Sequence, residues 1–403
     1  TRRSSDLVST IHQAYIELEK RGRIEAREKS GFYVKNLNSS PLKQPPTQKI
    51  TQGPMRVTVN TLAQAIITDL QSDDILKLGA AIPSTELLPL KPLSRIAKSI
   101  RTDELHRLLS HYDHYEGNKD LREAIAKRMV EIGCSVGYED IITTNGCLDA
   151  ISLCLRSVAG PGDTILVESP VFHGFLQLIE DLNMYVIEIP GCPEQGMDPQ
   201  AFENALATNP VTACLLNSNF QNPLGSVMSA QNKAAVLDIA TAYKVPVIED
   251  DIYGDLFFTH PRPSTFKSMD QAGNVLYCAS FSKAMAPGLR IGWTIPGNYK
   301  EILTRLKLNT LLSTAGINQV IAARFLASGA FDRHLRQLRN RLKNQVSAMA
   351  IAVSTYFPPD TRITFPKGGM CLWIALNPKI DSLQVYQQAY QEKISILPGA
   401  ICS

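Results

Sequence analysis

Four short segments carry side chains that could do chemistry together. Ser280-Phe281-Ser282-Lys283 follows an apolar run, and Pro287-Gly288-Leu289-Arg290 and Gly292 come soon after. A lysine in a loop just past a buried strand is partly stripped of water. That lowers its pKa and leaves an amine able to form a Schiff base with a carbonyl compound. Two hydroxyls and a guanidinium beside it suit a phosphate, which arginine binds through two parallel hydrogen bonds. Val247-Ile248-Glu249-Asp250-Asp251-Ile252-Tyr253 puts carboxylates and a phenol at a strand's C-terminal end, where open α/β sheets place ligands. Asn219-Phe220-Gln221-Asn222-Pro223-Leu224-Gly225 again follows a strand and contains an Asn-Pro turn. Thr144-Asn145-Gly146-Cys147-Leu148-Asp149-Ala150 leads into a helix whose first N–H groups could face an anion. Read singly, all four segments are also ordinary loops, helix caps and turns.

Strands must hold these segments in place. Apolar, β-rich runs recur at 141–144, 164–168, 184–189, 211–216, 245–249, 275–279 and 291–295. Helix-like stretches lie near 147–158, 172–182, 199–207 and 230–243. Hydrophobic strands separated by crossover helices predict a mostly parallel sheet covered on both faces. Long helices are expected within 299–357, and residues 361–376 with a helix near 381–392 predict a smaller α+β unit.

The 403 residues carry a net charge of +3 that hides an asymmetry. Residues 1–56 hold 11 Lys/Arg against 5 Asp/Glu, and the remainder holds 30 against 33. A basic segment on a mildly acidic body is either a solvated tail or a nucleic-acid-binding appendage. Residues 8–21 have the helical spacing Ile11, Ala14, Tyr15, Leu18, and Gly22 stops them. Arg23–Ala26 and Gly31–Val34 read as two strands around a polar tip, the second half of a winged helix-turn-helix. Residues 35–56, with Pro41, Pro45, Pro46 and Pro54, read as a partly extended linker. No run approaches the roughly 18–20 apolar residues of a membrane helix, and no signal-peptide pattern is present. Eight scattered cysteines without a Cys-x-x-Cys pair argue against zinc and against a disulfide scaffold, so a reducing cytoplasm is the simplest compartment. His111 and His114 lack companion ligands and read as loop histidines, with no metal expected.

In their order along the chain, the four segments resemble the fold-type I pyridoxal-phosphate enzymes, specifically class I aminotransferases. The resemblance runs from about residue 60 to the end. It includes Leu78-Gly79-Ala80-Ala81-Ile82-Pro83, His111-Tyr112-Asp113-His114-Tyr115-Glu116-Gly117, Leu121-Arg122-Glu123-Ala124-Ile125, Gly160-Pro161-Gly162-Asp163, Glu168-Ser169-Pro170-Val171-Phe172 and Pro366-Lys367-Gly368-Gly369-Met370. It implies pyridoxal 5'-phosphate as cofactor, with Lys283 forming the Schiff base. Asp250 would keep the pyridine nitrogen protonated so that the ring accepts electrons. Tyr253 and Asn222 would hydrogen-bond the phenolic oxygen, and Phe172 would stack on the ring. The phosphate would rest on the backbone of Gly146, Cys147 and Leu148, with Ser280, Ser282 and Arg290 around it. Tyr112 would reach the phosphate from the neighbouring subunit, which implies a homodimer with shared sites. His334, Arg336 and Arg339 also match the family pattern, and surface or interdomain charge is their default role. The arginine that binds a substrate carboxylate in this family is expected beyond Ser403.

Ser9-Thr10-Ile11-His12-Gln13-Ala14-Tyr15, Leu18-Glu19, Gly22, Ile24, Arg27 and Ser30-Gly31-Phe32-Tyr33-Val34 resemble the recognition helix and wing of GntR-type regulators. A GntR-type winged helix joined to an aminotransferase-like domain is the MocR architecture. Ser9, Thr10, His12 and Gln13 are then candidates for base edges, and Arg2, Arg3, Arg27 and Lys29 for phosphates of double-stranded DNA. The expected division is an incomplete winged helix-turn-helix at 1–35, a linker at 36–59 and an aminotransferase-like domain at 60–403. Its large lobe is expected at about 104–298 and its small lobe at 60–103 and 299–403. The expected fold class is α/β: a fold-type I transferase, a mostly parallel sheet sandwiched by helices plus a small α+β domain, with a partial N-terminal winged helix. The expected function is a transcriptional regulator sensing an amine, an amino acid or the cofactor itself. The alternative is a working aminotransferase that moves an amino group between an amino acid and a 2-oxo acid.

Overall fold

The structure is a computed structural model that describes residues 24–27, 31–34, 42–48, 53–57 and 74–403, with single positions between 11 and 18. Near the N-terminus, β1 (Ile24–Arg27) and β2 (Gly31–Val34) form an antiparallel hairpin with Ile24 opposite Val34 and Arg27 opposite Gly31. The first strand is shifted one residue from its expected bounds. Tyr15 stacks on Phe32 with ring centroids 4.6 Å apart.

β3 (Met55–Arg56) and β4 (Leu76–Lys77) precede the main strands: β5 (Ile142–Thr144), β6 (Thr164–Ser169), β7 (Tyr185–Cys192), β8 (Gly196–Met197), β9 (Val211–Leu216), β10 (Val247–Asp250), β11 (Val275–Ser280) and β12 (Gly292–Ile295). Among the described residues these build a nine-stranded sheet in the order β3-β7-β6-β9-β10-β11-β12-β5, with β8 paired to β7. The β7-β6-β9-β10-β11 block is parallel and β12 is antiparallel to both its neighbours. Alternation along each strand explains why these runs are apolar throughout. Ile165 and Val167 of β6, Ala213 and Leu215 of β9 and Ile248 of β10 pack under helices Cys147–Val158, His173–Asp181 and Lys300–Leu311. Leu166, Cys214, Leu216 and Val247 face the other way, against helices Pro199–Thr208 and Ala230–Ala242. With a repeat of two residues, both sides of each strand meet a helix, so neither side can be polar.

Helices Lys300–Leu311, Gly316–Ala327 and Ala330–Tyr356 follow the sheet, then β13 (Arg362–Ile363) paired with β14 (Ile374–Ala375), helix Ser382–Gln391 and β15 (Ile394–Ser395), which pairs with β4. The 27-residue helix Ala330–Tyr356 is tied to the large lobe's loops and to helix Lys119–Glu131 by polar contacts. His334 Nε2 bonds Ala284 O at 3.0 Å, Arg339 Nε donates to Asp255 O at 2.6 Å, and Arg128 Nη1 donates to Asp332 Oδ1 at 2.8 Å. The Arg339 guanidinium also lies 3.6 Å from the centre of the Phe257 ring. His334 and Arg339 therefore act between elements, whereas Arg336 is exposed.

The expected linker is pinned at two points. Lys43 bridges Arg362 in parallel fashion and Ile363 N–H donates to Lys43 O at 3.1 Å. Further on, β3 joins the sheet edge with Met55 opposite Val186. Pro45 between these anchors is buried.

Candidate functional site

Strand register brings the four chemical segments to one end of the sheet's strands. Thr144 at the end of β5 pairs with Gly292, and Gly292 pairs with Ser280 at the end of β11. Asp250 at the end of β10 lies opposite Cys278 of β11, and Asn217 follows the last residue of β9. Side chains far apart in sequence are neighbours here because their strands end together.

The turn after β5 is shaped for an anion. Gly146 caps helix Cys147–Val158 at φ 92° and ψ 175°, and no side chain caps that helix start. Uncapped N–H groups at a helix N-terminus are donors awaiting an acceptor. Arg290, held in the left-handed region at φ 52°, closes over the turn and donates from Nη2 to Asn145 O at 2.5 Å. A Cβ on Gly146 would sit 2.6 Å from that Nη2. Ser280 and Ser282 are both buried beside it, with Ser282 N–H donating to Ser280 Oγ at 3.3 Å. Leu148 contributes main chain only, its side chain being 44% exposed.

Asp250 is buried, and desolvation pushes its carboxyl up to about 7 even though Cys147 and Ile252 donate to it and draw it down. Cys147 Sγ donates to Oδ1 at 3.2 Å, Ile252 N–H to the same oxygen at 3.0 Å, and Asn217 Nδ2 to the Asp250 carbonyl at 2.7 Å. Tyr253 OH lies 3.5 Å from Asn222 Nδ2, and burial raises the phenol's pKa well above its usual value. Lys283 Nζ donates to Ala81 O at 2.8 Å. Burial lowers its pKa, while Cys371 and Asp250 oppose that shift. Phe172 starts helix His173–Asp181 with its ring edge-on to Phe175, centroids 5.4 Å apart. Tyr112 stands apart from this cluster at 82% exposure.

Asp250, Tyr253, Asn222, Lys283, Cys147, Gly146, Ser280, Ser282 and Arg290 thus meet at one end of the central strands. Arg2, Arg3, Ser9, Thr10, His12, Gln13 and Lys29 lie outside the described residues, and of Arg27 only the strand backbone is described. Several partners escaped the sequence reading. Asn217 was within reach of it, since aligning the ends of β9 and β10 puts it next to Asp250. Asp251 anchors the turn after β10 through Arg262 Nη2 at 2.6 Å, Tyr277 OH at 2.8 Å and Asn219 Nδ2 at 3.0 Å. Cys371, which shares a hydrogen bond with Tyr253, comes from a distant loop and has no local signal.

The donor set fits a phosphorylated, ring-shaped aldehyde. A basic, uncapped cradle suits the phosphate, a depressed lysine suits the carbonyl, and a buried carboxyl suits a ring nitrogen. The sequence matches the family model "Aminotransferase class I and II" over residues 73–403. It is 37% identical to the uncharacterized HTH-type transcriptional regulator YjiR of Escherichia coli (strain K12), over 98% of this chain and 84% of the relative. The fold is similar to that of Pyrococcus horikoshii kynurenine aminotransferase in complex with PMP, with a TM-score of 0.78, 29% identity and 86% of each chain covered. It is also similar to LysN, the alpha-aminoadipate aminotransferase of Thermus thermophilus, complexed with N-(5'-phosphopyridoxyl)-L-leucine. That comparison gives a TM-score of 0.77 at 26% identity, covering 86% of this chain and 87% of that one. The chain therefore belongs to the class I and II aminotransferase family, and within it to the HTH-type transcriptional regulators of MocR type.

Proposed function

We propose that this chain is a DNA-binding transcriptional regulator whose aminotransferase-like domain holds pyridoxal 5'-phosphate and senses an amine, an amino acid or the cofactor itself. The observation that carries this reading is the union, in one chain, of a basic N-terminal segment that includes a hairpin with the strand-end cluster around Lys283 and Asp250. The similarity to an HTH-type regulator along nearly the whole sequence supports it. The division into 1–35, 36–59 and 60–403 is part of the same proposal.

Bound there, the cofactor supplies an electron-accepting ring and a carbonyl that amines attack. The chain's residues do the rest. Lys283 is the attachment point, because burial favours its uncharged amine. Asp250 holds the proton of the ring nitrogen, since a buried carboxylate is stabilised by a cation beside it. Tyr253 and Asn222 would orient the phenolic oxygen, Phe172 would cover the ring, and Gly146, Cys147, Leu148, Ser280, Ser282 and Arg290 would seat the phosphate. Tyr112, Leu109, Leu78 and Ile82 are exposed apolar or aromatic side chains, which supports a homodimer in which Tyr112 reaches the partner's phosphate. All eight cysteines are free, including Cys154 and Cys278 with sulfurs 3.5 Å apart, in keeping with a reducing cytoplasm. Among the described residues no helix is long and apolar enough to cross a membrane.

The test combines absorbance with DNA binding. The protein is expected to show a visible or near-ultraviolet band that Lys283→Ala loses, and its affinity for its own promoter region is expected to shift with one of a panel of amines. A colourless protein, or promoter affinity indifferent to cofactor and amines alike, would refute the reading. The same strand-end cluster serves an aminotransferase, and rapid multiple turnover with a 2-oxo acid would favour that second function.

A further inference from the structure

Cys147 makes a contact that a phosphate cradle does not require. Its main chain opens helix Cys147–Val158, while its thiol donates to Asp250 Oδ1 at 3.2 Å. Ile252 N–H reaches the same oxygen at 3.0 Å, and Asn217 fixes the Asp250 main chain through its carbonyl at 2.7 Å. Among the described residues no hydrogen bond ends on Oδ2. One carboxylate oxygen is thus held by two donors and the other is left for a ligand. Both Cys147 and Asp250 are buried, where a missing hydrogen bond is felt in full.

We propose that Cys147 is a positioning residue for Asp250, its thiol locking Oδ1 so that Oδ2 faces a ring N–H and favouring the ionised carboxylate that this N–H requires. The proposal rests on the reading of these strand ends as a pyridoxal-phosphate site. It gives the Cys147 side chain a role distinct from its backbone's contact with phosphate. The electrostatics agree in direction: burial lifts the Asp250 carboxyl, and the thiol's hydrogen bond is the largest influence pulling it down. Without that donor the acid would keep its proton to higher pH, and a protonated carboxyl cannot stabilise a cationic ring.

The experiment measures pyridoxal-phosphate affinity by equilibrium dialysis from pH 6 to 9 for the full chain, Cys147→Ala and Cys147→Ser, with thermal midpoints recorded for each. Cys147→Ala is expected to bind about five- to tenfold more weakly, as for one lost hydrogen bond from a weak thiol donor. Its affinity should also begin to fail at higher pH on the acid side. Cys147→Ser, which keeps a donor, should hold its acid limb at or below that of the parent protein. Wild-type affinity and an unmoved acid limb in a folded Cys147→Ala would overturn the proposal. If the alanine variant does not fold, an upward shift of the limb in Cys147→Ser overturns it as well. A parent protein that takes up no cofactor at any pH would instead overturn the reading of the site.

Discussion

Gly146 offers a perturbation whose size can be worked out and split. It sits at φ 92° and ψ 175°, a region nearly closed to residues with a Cβ. Alanine there costs about 1–3 kcal/mol for conformation alone. Its methyl would also lie 2.6 Å from Arg290 Nη2, so the guanidinium must move and give up its 2.5 Å bond to Asn145 O. Because that arginine is partly in solvent, the bond adds only about 1 kcal/mol. Gly162 offers a comparison matched in φ, at 91°, where nothing lies within 4 Å of a would-be Cβ. Gly162→Ala should therefore show the cost of a positive φ without a clash. At about 2 °C per kcal/mol for a domain of this size, thermal midpoints should fall by about 2–4 °C for Gly162→Ala and about 4–8 °C for Gly146→Ala. Pyridoxal-phosphate affinity should separate them further, unchanged in the first and at least about tenfold weaker in the second, where a charge-assisted phosphate contact is displaced. Adding Arg290→Ala to Gly146→Ala should cost less than the two single changes together. Equal midpoints and equal affinities for the two glycine variants would refute the idea that Gly146 is required by Arg290.

Other outcomes can be checked independently. Glu168 is buried with Oε1 lacking a partner, and desolvation alone raises its carboxyl from 4.5 to about 8. Between those values the folded chain binds more protons than the unfolded one, so this residue makes stability fall as pH rises, by at most about 1.4 kcal/mol per pH unit. Glu168→Gln should therefore gain on the parent protein from pH 5 to 8 in denaturant titrations and stay level above that; a difference independent of pH would contradict the assignment. At the other end of the chain, Arg27 ends β1 at the hairpin tip. Arg27→Ala should weaken promoter and random DNA alike and reduce the slope of log affinity against log salt by about one, as for a phosphate contact. A loss confined to the promoter sequence would instead make Arg27 a base reader.

The sheet was legible because burial on both faces leaves no polar interruption. Runs such as Thr164–Glu168 and Val211–Leu216 appear in the sequence almost as they do in the structure. The antiparallel β12 was not legible, because Gly292–Ile295 has the same buried composition as its parallel neighbours and direction leaves no mark on composition. Helices Leu90–Lys98 and Thr102–Ser110 went unmarked, and together they bury only Leu93, so their apolar signal is thin. At the candidate site, residues just past strand ends could be singled out from order alone. The contacts that tune them could not: Cys147 and Asp250 are 103 positions apart, and Lys283 and Ala81 are 202 apart. Only the strand register and the return of the chain bring them together.

The anchor at Lys43 has a consequence for reach. The hairpin ends at Val34, and the bridge to Arg362 fixes the chain at Lys43. Fully stretched, the nine residue steps between them span about 30 Å. The hairpin is therefore leashed to one side of the aminotransferase-like body, within a radius of about one turn of a DNA double helix. In a two-fold assembly the positions of the two Lys43 anchors would set the range of half-site spacings that both hairpins can straddle at once. A promoter with its half-sites beyond that range would engage one hairpin and forfeit the gain from double attachment.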